Sequence, residues 1–231
     1  GGMEQLETLT LNCCACSALT GVAGLEALRG LRALKICKLD FSETKIQDVG
    51  ALASGLGGME RLEALSMDFE DCLVLAELAG FEALQNLKAL KSCELKFAHS
   101  SLQDLGALGE GLGGMEQLET LTLNCCACSA LTGVAGLEAL RGLRALKICK
   151  LDFSETKIQD VGALASGLGG MERLEALSMD FEDCLVLAEL AGFEALQNLK
   201  ALKSCELKFA HSSLQDLGAL GEGLGGMEQL E

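Results

Sequence analysis

Residues 113–224 repeat residues 1–112 without a change, and residues 225–231 (GGMEQLE) begin a third copy. No other feature narrows the fold as far, because identical tandem units are built to stack on one another. Each 112-residue unit divides again into four blocks of 28, beginning at Leu28, Leu56, Leu84 and Leu112. Five apolar columns recur at that spacing: Met3, Leu31, Met59, Leu87; Leu6, Leu34, Leu62, Leu90; Leu9, Cys37, Leu65, Cys93; Leu11, Leu39, Met67, Leu95; and Cys13, Phe41, Phe69, Phe97. Alternate blocks carry QD(V/L)GAL or AG(L/F)EA near their ends, so the period is 28 within 56 within 112.

Within a block, Leu65, Met67 and Phe69 alternate with Ser66 and Asp68, the period of a strand with one buried face. Strands that recur every 28 residues pair in parallel, and the chain between them returns along another side of the coil. Ile46, Val49, Leu52 and Leu56 fall at steps of three and four, which predicts a short helix ending in glycines. In the other block type Leu19, Val22, Leu25, Leu28, Leu31 and Leu34 recur at steps of three, which predicts a bend or a 3₁₀ piece. One block cannot bury its own columns. Stability therefore comes from stacking, each buried Leu contributing about 1.5–3 kcal/mol.

The pattern L-x-x-L-x-x-(L/C)-x-(L/M)-x-(F/C), repeated along the whole chain, resembles a leucine-rich-repeat array. Its repeat length is similar to that of the ribonuclease-inhibitor-like class, and SMDFEDC, ending at Cys72, is similar to arrays of the protist type. The resemblance implies an α/β leucine-rich-repeat solenoid with a parallel β-sheet on one face and short α or 3₁₀ helices on the other. The domain expectation is one uncapped solenoid over residues 1–231, with eight 28-residue repeats. The chain departs from the family pattern where the strand ends. The usual Asn or Cys occurs only as Cys14 and Cys126, whereas Ser42, Glu70 and Ala98 stand there elsewhere. Cys16, Thr44, Cys72 and Ser100 lie two residues later and imply a different turn.

Candidate chemistry is sparse. Cys13, Cys14 and Cys16 form a C-C-x-C cluster repeated at Cys125, Cys126 and Cys128, but consecutive strand side chains face opposite ways and no His or second Cys pair lies nearby. Structural thiols are expected, with no metal and no cofactor. GEGLGG at Gly109–Gly114 and Gly221–Gly226 matches a dinucleotide fingerprint but closes a helix instead of opening one, and Glu110 would repel a phosphate; a turn is expected. His99 and His211 sit in AHSS turns, and Glu70 and Asp71 are read as solvated charge. A formal charge of −16 without a basic run argues against nucleic acid and anionic membrane surfaces as partners. There is no apolar stretch long enough to span a membrane and no basic-then-apolar leader.

A non-enzymatic structural role is the leading expectation: a solenoid whose apolar ends stack on further copies of itself to build a filament. Leu6, Leu9, Leu11 and Cys13 would carry the contact at one end, and Leu202, Cys205, Leu207 and Phe209 at the other. The alternative is a protein-recognition module whose partner lies along Lys38, Asp40, Ser66, Asp68, Glu94 and Lys96 on the strand face, although no aromatic anchor stands there. A designed repeat without a biological role is a third reading.

Overall fold

The chain is described by a computed structural model covering residue 3 and residues 5–227. The alternating columns form eight five-residue strands: β1 (Thr8–Asn12), β2 (Ile36–Asp40), β3 (Ala64–Asp68), β4 (Ser92–Lys96), β5 (Thr120–Asn124), β6 (Ile148–Asp152), β7 (Ala176–Asp180) and β8 (Ser204–Lys208). They make one parallel sheet in sequence order. The register is the repeat itself, since Leu9 lies opposite Cys37, Cys37 opposite Leu65 and Leu65 opposite Cys93.

The returning segments differ by block type, as their spacings predict. Steps of three give 3₁₀ helices at Leu25–Gly30, Phe81–Asn86, Leu137–Gly142 and Phe193–Asn198. The mixed three-and-four spacing gives α1 (Gly50–Leu56), α2 (Gly106–Gly113), α3 (Gly162–Leu168) and α4 (Gly218–Gly225). Ile46 and Val49 are buried but precede α1, so the helix holds only the second half of the predicted apolar stripe. α1 and α2 each pack between the 3₁₀ helices of adjoining coils.

The core is the set of inward columns. Leu34, Leu62, Leu65, Met67, Leu90 and Leu95 are at most 2% exposed, and Phe41, Phe69 and Phe97 stack with ring centroids 5.6 Å apart. Phe81 joins them from its 3₁₀ helix at 6.3 Å from Phe97. All the phenylalanines expected inside the first unit are inside.

The exit turn explains the departure at the strand end. The terminal Asn or Asp of most strands folds back as an Asx turn: Asn12 Oδ1 accepts the Cys14 N–H at 3.0 Å, Asp40 Oδ1 the Ser42 N–H at 3.1 Å and Asp68 Oδ1 the Glu70 N–H at 3.0 Å. The next residue takes a left-handed conformation with φ near 57°, at Ala15, Glu43, Asp71 and His99. Only small or locally bonded side chains usually accept that geometry. It is held here because the Glu43, Asp71 and His99 N–H groups bond the next coil's carbonyls at 2.8–2.9 Å.

Behind the turn, the small polar column is a buried hydrogen-bond ladder. Thr44 Oγ1 donates to the Phe41 carbonyl at 2.7 Å, and Cys72 Sγ from the following coil reaches the same oxygen at 3.2 Å. Cys128 Sγ likewise donates to Phe97 O at 3.1 Å and lies 3.3 Å from Ser100 Oγ. Each such group donates to a carbonyl where the chain leaves the strand, and the Phe97 oxygen also accepts the Ser100 N–H at 3.0 Å. Among the described residues, no buried side-chain nitrogen or oxygen lacks a partner.

Candidate interaction surface

The second and fourth residues of each strand point into the core, so positions such as Lys38, Ser66 and Glu94 stand on the opposite face, which no described helix covers. Lys38 is exposed; Asp40, Ser66, Asp68, Glu94 and Lys96 are half-buried. These residues come together across adjoining strands. Ser66 Oγ donates to Glu94 Oε2 at 3.0 Å, and Lys96 Nζ lies 3.3 Å from Asp68 and 3.7 Å from Glu94. Asp40 Oδ2 accepts from the Asn12 amide at 2.8 Å, while its other oxygen holds the Ser42 turn. The expected partner face is thus partly structural, because Asp40 and Asp68 build the exit turns as well as facing outward. Lys38 makes no ion pair with a described residue and is the freest group of the set. Beside it Ile36 is 37% exposed, as is its copy Ile148, which adds an apolar element that sequence inspection overlooked.

A second ladder runs just before the strands and was also overlooked. Position by position it reads Glu7, Lys35, Glu63, Lys91, Glu119, Lys147, Glu175, Lys203, alternating in sign from coil to coil. The pairs close at 2.9, 2.8, 2.7 and 2.7 Å for Lys35–Glu7, Lys91–Glu63, Lys147–Glu119 and Lys203–Glu175. The Lys91 ammonium holds the Glu63 carboxyl below its ordinary range, first by its hydrogen bond and then by its charge. Glu119 and Glu175 are lowered by Lys147 and Lys203 in the same way.

The predicted end surface requires one correction. Cys13, Leu6, Leu9 and Leu11 at one end and Cys205, Leu207 and Phe209 at the other are half-buried, whereas Leu202 is fully buried and cannot contribute to a contact surface. It precedes β8 and belongs to the buried core.

The remaining motifs resolve into structure. Cys125 and Cys128 are buried and Cys126 is half-buried, while the end-coil copies Cys14 and Cys16 are exposed; all are free thiols. Burial pushes the Cys37, Cys93 and Cys149 thiols up to about 12. Among the described residues no group of three or more His, Cys, Asp or Glu side chains could hold a metal ion. The GEGLGG segment corrects the expected turn, since Gly109–Gly113 lie within α2. Their lack of a side chain serves packing: a Cβ on Gly109 would lie 2.2 Å from the Gly136 carbonyl oxygen, and one on Gly111 2.2 Å from that of Phe81. His99 is exposed in its left-handed turn. Leu73 and Val74 after the turn are 63% and 44% exposed.

No described helix is long and apolar enough to cross a membrane. No protein-family model matches the chain, and no curated protein matches it. Solved structures do. An internalin (inlF) from Listeria monocytogenes aligns over 98% of this chain and 61% of its own, with a TM-score of 0.52 at 16% identity. The plant peptide hormone receptor RGFR1, solved in complex with RGF2, aligns over 99% of this chain and 39% of its own, with a TM-score of 0.48 at 15% identity. The chain therefore spans less than two thirds of either of these structures. With eight in-register parallel strands, a 28-residue coil, short helices behind the sheet and an internalin as structural neighbour, the fold is a leucine-rich-repeat solenoid.

Proposed function

We propose that the chain is a protein-recognition module that presents its strand face to a partner. The observation that carries this reading is an eight-stranded face left uncovered by any described element, on which Ile36 with Lys38 and Ile148 with Lys150 offer the same apolar and cationic pair twice. A partner seated there would bury the isoleucine and meet an unpaired ammonium, while the Asp68–Lys96–Glu94 cluster sets which charges fit beside it. End-to-end assembly has less support. Leu202 is buried, and the half-buried apolar groups of β1 and β8 are what the outer strands of any such sheet display.

A photo-crosslinking side chain at Ser66, on the strand face, compared with one at the exposed Gln103, on the returning segment before α2, tests the proposal in extracts of the source cells. Adducts with another protein are expected at Ser66 only, and the double substitution Ile36→Asp with Ile148→Asp should abolish them. Equal adducts at both positions, or adducts containing only this chain, would overturn the reading.

A further inference from the structure

The chain carries six arginines and twelve lysines, and the stacked coils put the two kinds to different uses. Lys35, Lys91, Lys147 and Lys203 pair with glutamates, and Lys96 and Lys208 with aspartates. None of the arginines makes an ion pair with a described residue. Instead they collect. Arg141 and Arg144 from one coil and Arg173 from the next line a single cleft with Glu116 and Glu172, and Arg29, Arg32 and Arg61 line its copy 112 residues earlier with Glu60. The sequence has no basic run, yet stacking gathers every guanidinium of an acidic protein into two places.

We infer that these clefts hold carboxylate side chains of an acidic segment of a protein partner, an inference that rests on the recognition reading above. A guanidinium presents a planar fork that matches a carboxylate in a bidentate manner, and left unpaired at a surface it is available for one. Charge favours a carboxylate over a phosphate. In the cleft of Arg141, Arg144 and Arg173, three arginines against Glu116 and Glu172 leave a net charge of +1, which one carboxylate neutralises and a phosphate dianion would overshoot. The chain's overall negative charge does not forbid the contact, because at physiological salt a Debye length of about 8 Å leaves the local guanidiniums in control. The clefts repeat four coils apart, about 19 Å at a strand spacing of about 4.8 Å. An extended segment spans that distance in about six residues at roughly 3.3 Å each. The preferred ligand therefore carries two acidic residues about six positions apart.

All the arginines lie in the clefts, so the arginine Nε–Hε resonances of the 231-residue chain report on the clefts alone. The probes are synthetic Gly/Ser peptides with two glutamates six apart, one glutamate, two glutamines, or two phosphoserines. The two-glutamate peptide should shift the signals and bind about tenfold tighter than the one-glutamate peptide. The glutamine peptide should shift nothing. Arg141→Lys, Arg144→Lys and Arg173→Lys together keep the charge and remove the forks of that cleft, and should weaken the two-glutamate peptide several-fold. Equal shifts from the glutamate and glutamine peptides, full binding by the lysine variant, or tighter binding of the phosphoserine peptide would each overturn the inference. Crosslinks at Ser66 that survive such a result would leave the strand-face reading standing, so the two failures are separable.

Discussion

Gly109 and Gly221 occupy the same position of the same helical sequence, GALGEGLG, but differ in what lies beyond them. A Cβ at Gly109 would approach the Gly136 carbonyl oxygen to 2.2 Å and its carbon to 2.5 Å, whereas at Gly221 nothing lies within 4 Å. Neither has a left-handed φ, so alanine gains helix propensity at both, about 0.5–1 kcal/mol. At Gly221 that gain should appear undiminished. At Gly109 the next coil must retreat by more than 1 Å to restore ordinary contact, and overpacking of that kind costs about 1–3 kcal/mol. Propensity cancels in the comparison, so Gly221→Ala should exceed Gly109→Ala in stability by about 1–3 kcal/mol. Urea unfolding followed by circular dichroism would measure the difference. Hydrogen exchange of the α2 and α4 amides would guard against loss of cooperativity along the array. Equal stabilities, or Gly109→Ala as the more stable variant, would refute the close approach of neighbouring coils.

The charge ladder predicts a pH dependence with a definite sign. Glu63, Glu119 and Glu175 are lowered in the folded chain, so their contribution is full above the unfolded value of about 4.3 and is lost as pH falls through the folded one. Lys91 is raised, and its contribution is lost as pH climbs through the folded value, above about 10.4. Replacing Lys91, Lys147 and Lys203 by Gln should flatten the acid limb of melting temperature against pH; an unchanged limb would place the acid sensitivity elsewhere. Asp68→Ala removes both the acceptor for the Glu70 N–H and the Lys96 partner, with an expected cost of about 1–2 kcal/mol that Asp68→Asn largely restores, as read by chemical denaturation. Native thiol labelling followed by mass spectrometry should modify the exposed Cys14 and Cys16 first and spare Cys37, Cys93 and Cys149, whose buried thiols lie near 12. Early labelling of Cys93 would contradict the core.

What could be read without coordinates was whatever repeats along one coil. The Leu65, Met67, Phe69 alternation gave the strand, and the unbroken steps of three from Leu19 to Leu34 gave the 3₁₀ return, because both periods are local properties of the backbone. Contacts between coils were harder to see. Glu63 and Lys91 are 28 residues apart, and their alternation has meaning only once the register is fixed. The same holds for Arg144 and Arg173, which look scattered in a chain without a basic run. The role of Asp68 was hidden by its double duty, since an Asp at a strand end reads as solvated charge until its turn is seen. His99 and Asp71 in left-handed conformations give no sequence signal, because the next coil and not the residue type fixes them. Leu202 was misplaced because a column position does not tell which side of the last coil stays open.

The alternating Glu and Lys of the pre-strand ladder bears on how such a gene can change length. Loss of a single coil, such as that of β3, would set Lys35 against Lys91 and place two helix types of the same kind side by side. Loss or gain of two coils restores both alternations. A change of length by an even number of coils should therefore disturb the stack less than a change by an odd number, and the identical four-coil units 1–112 and 113–224 join without a mismatched seam.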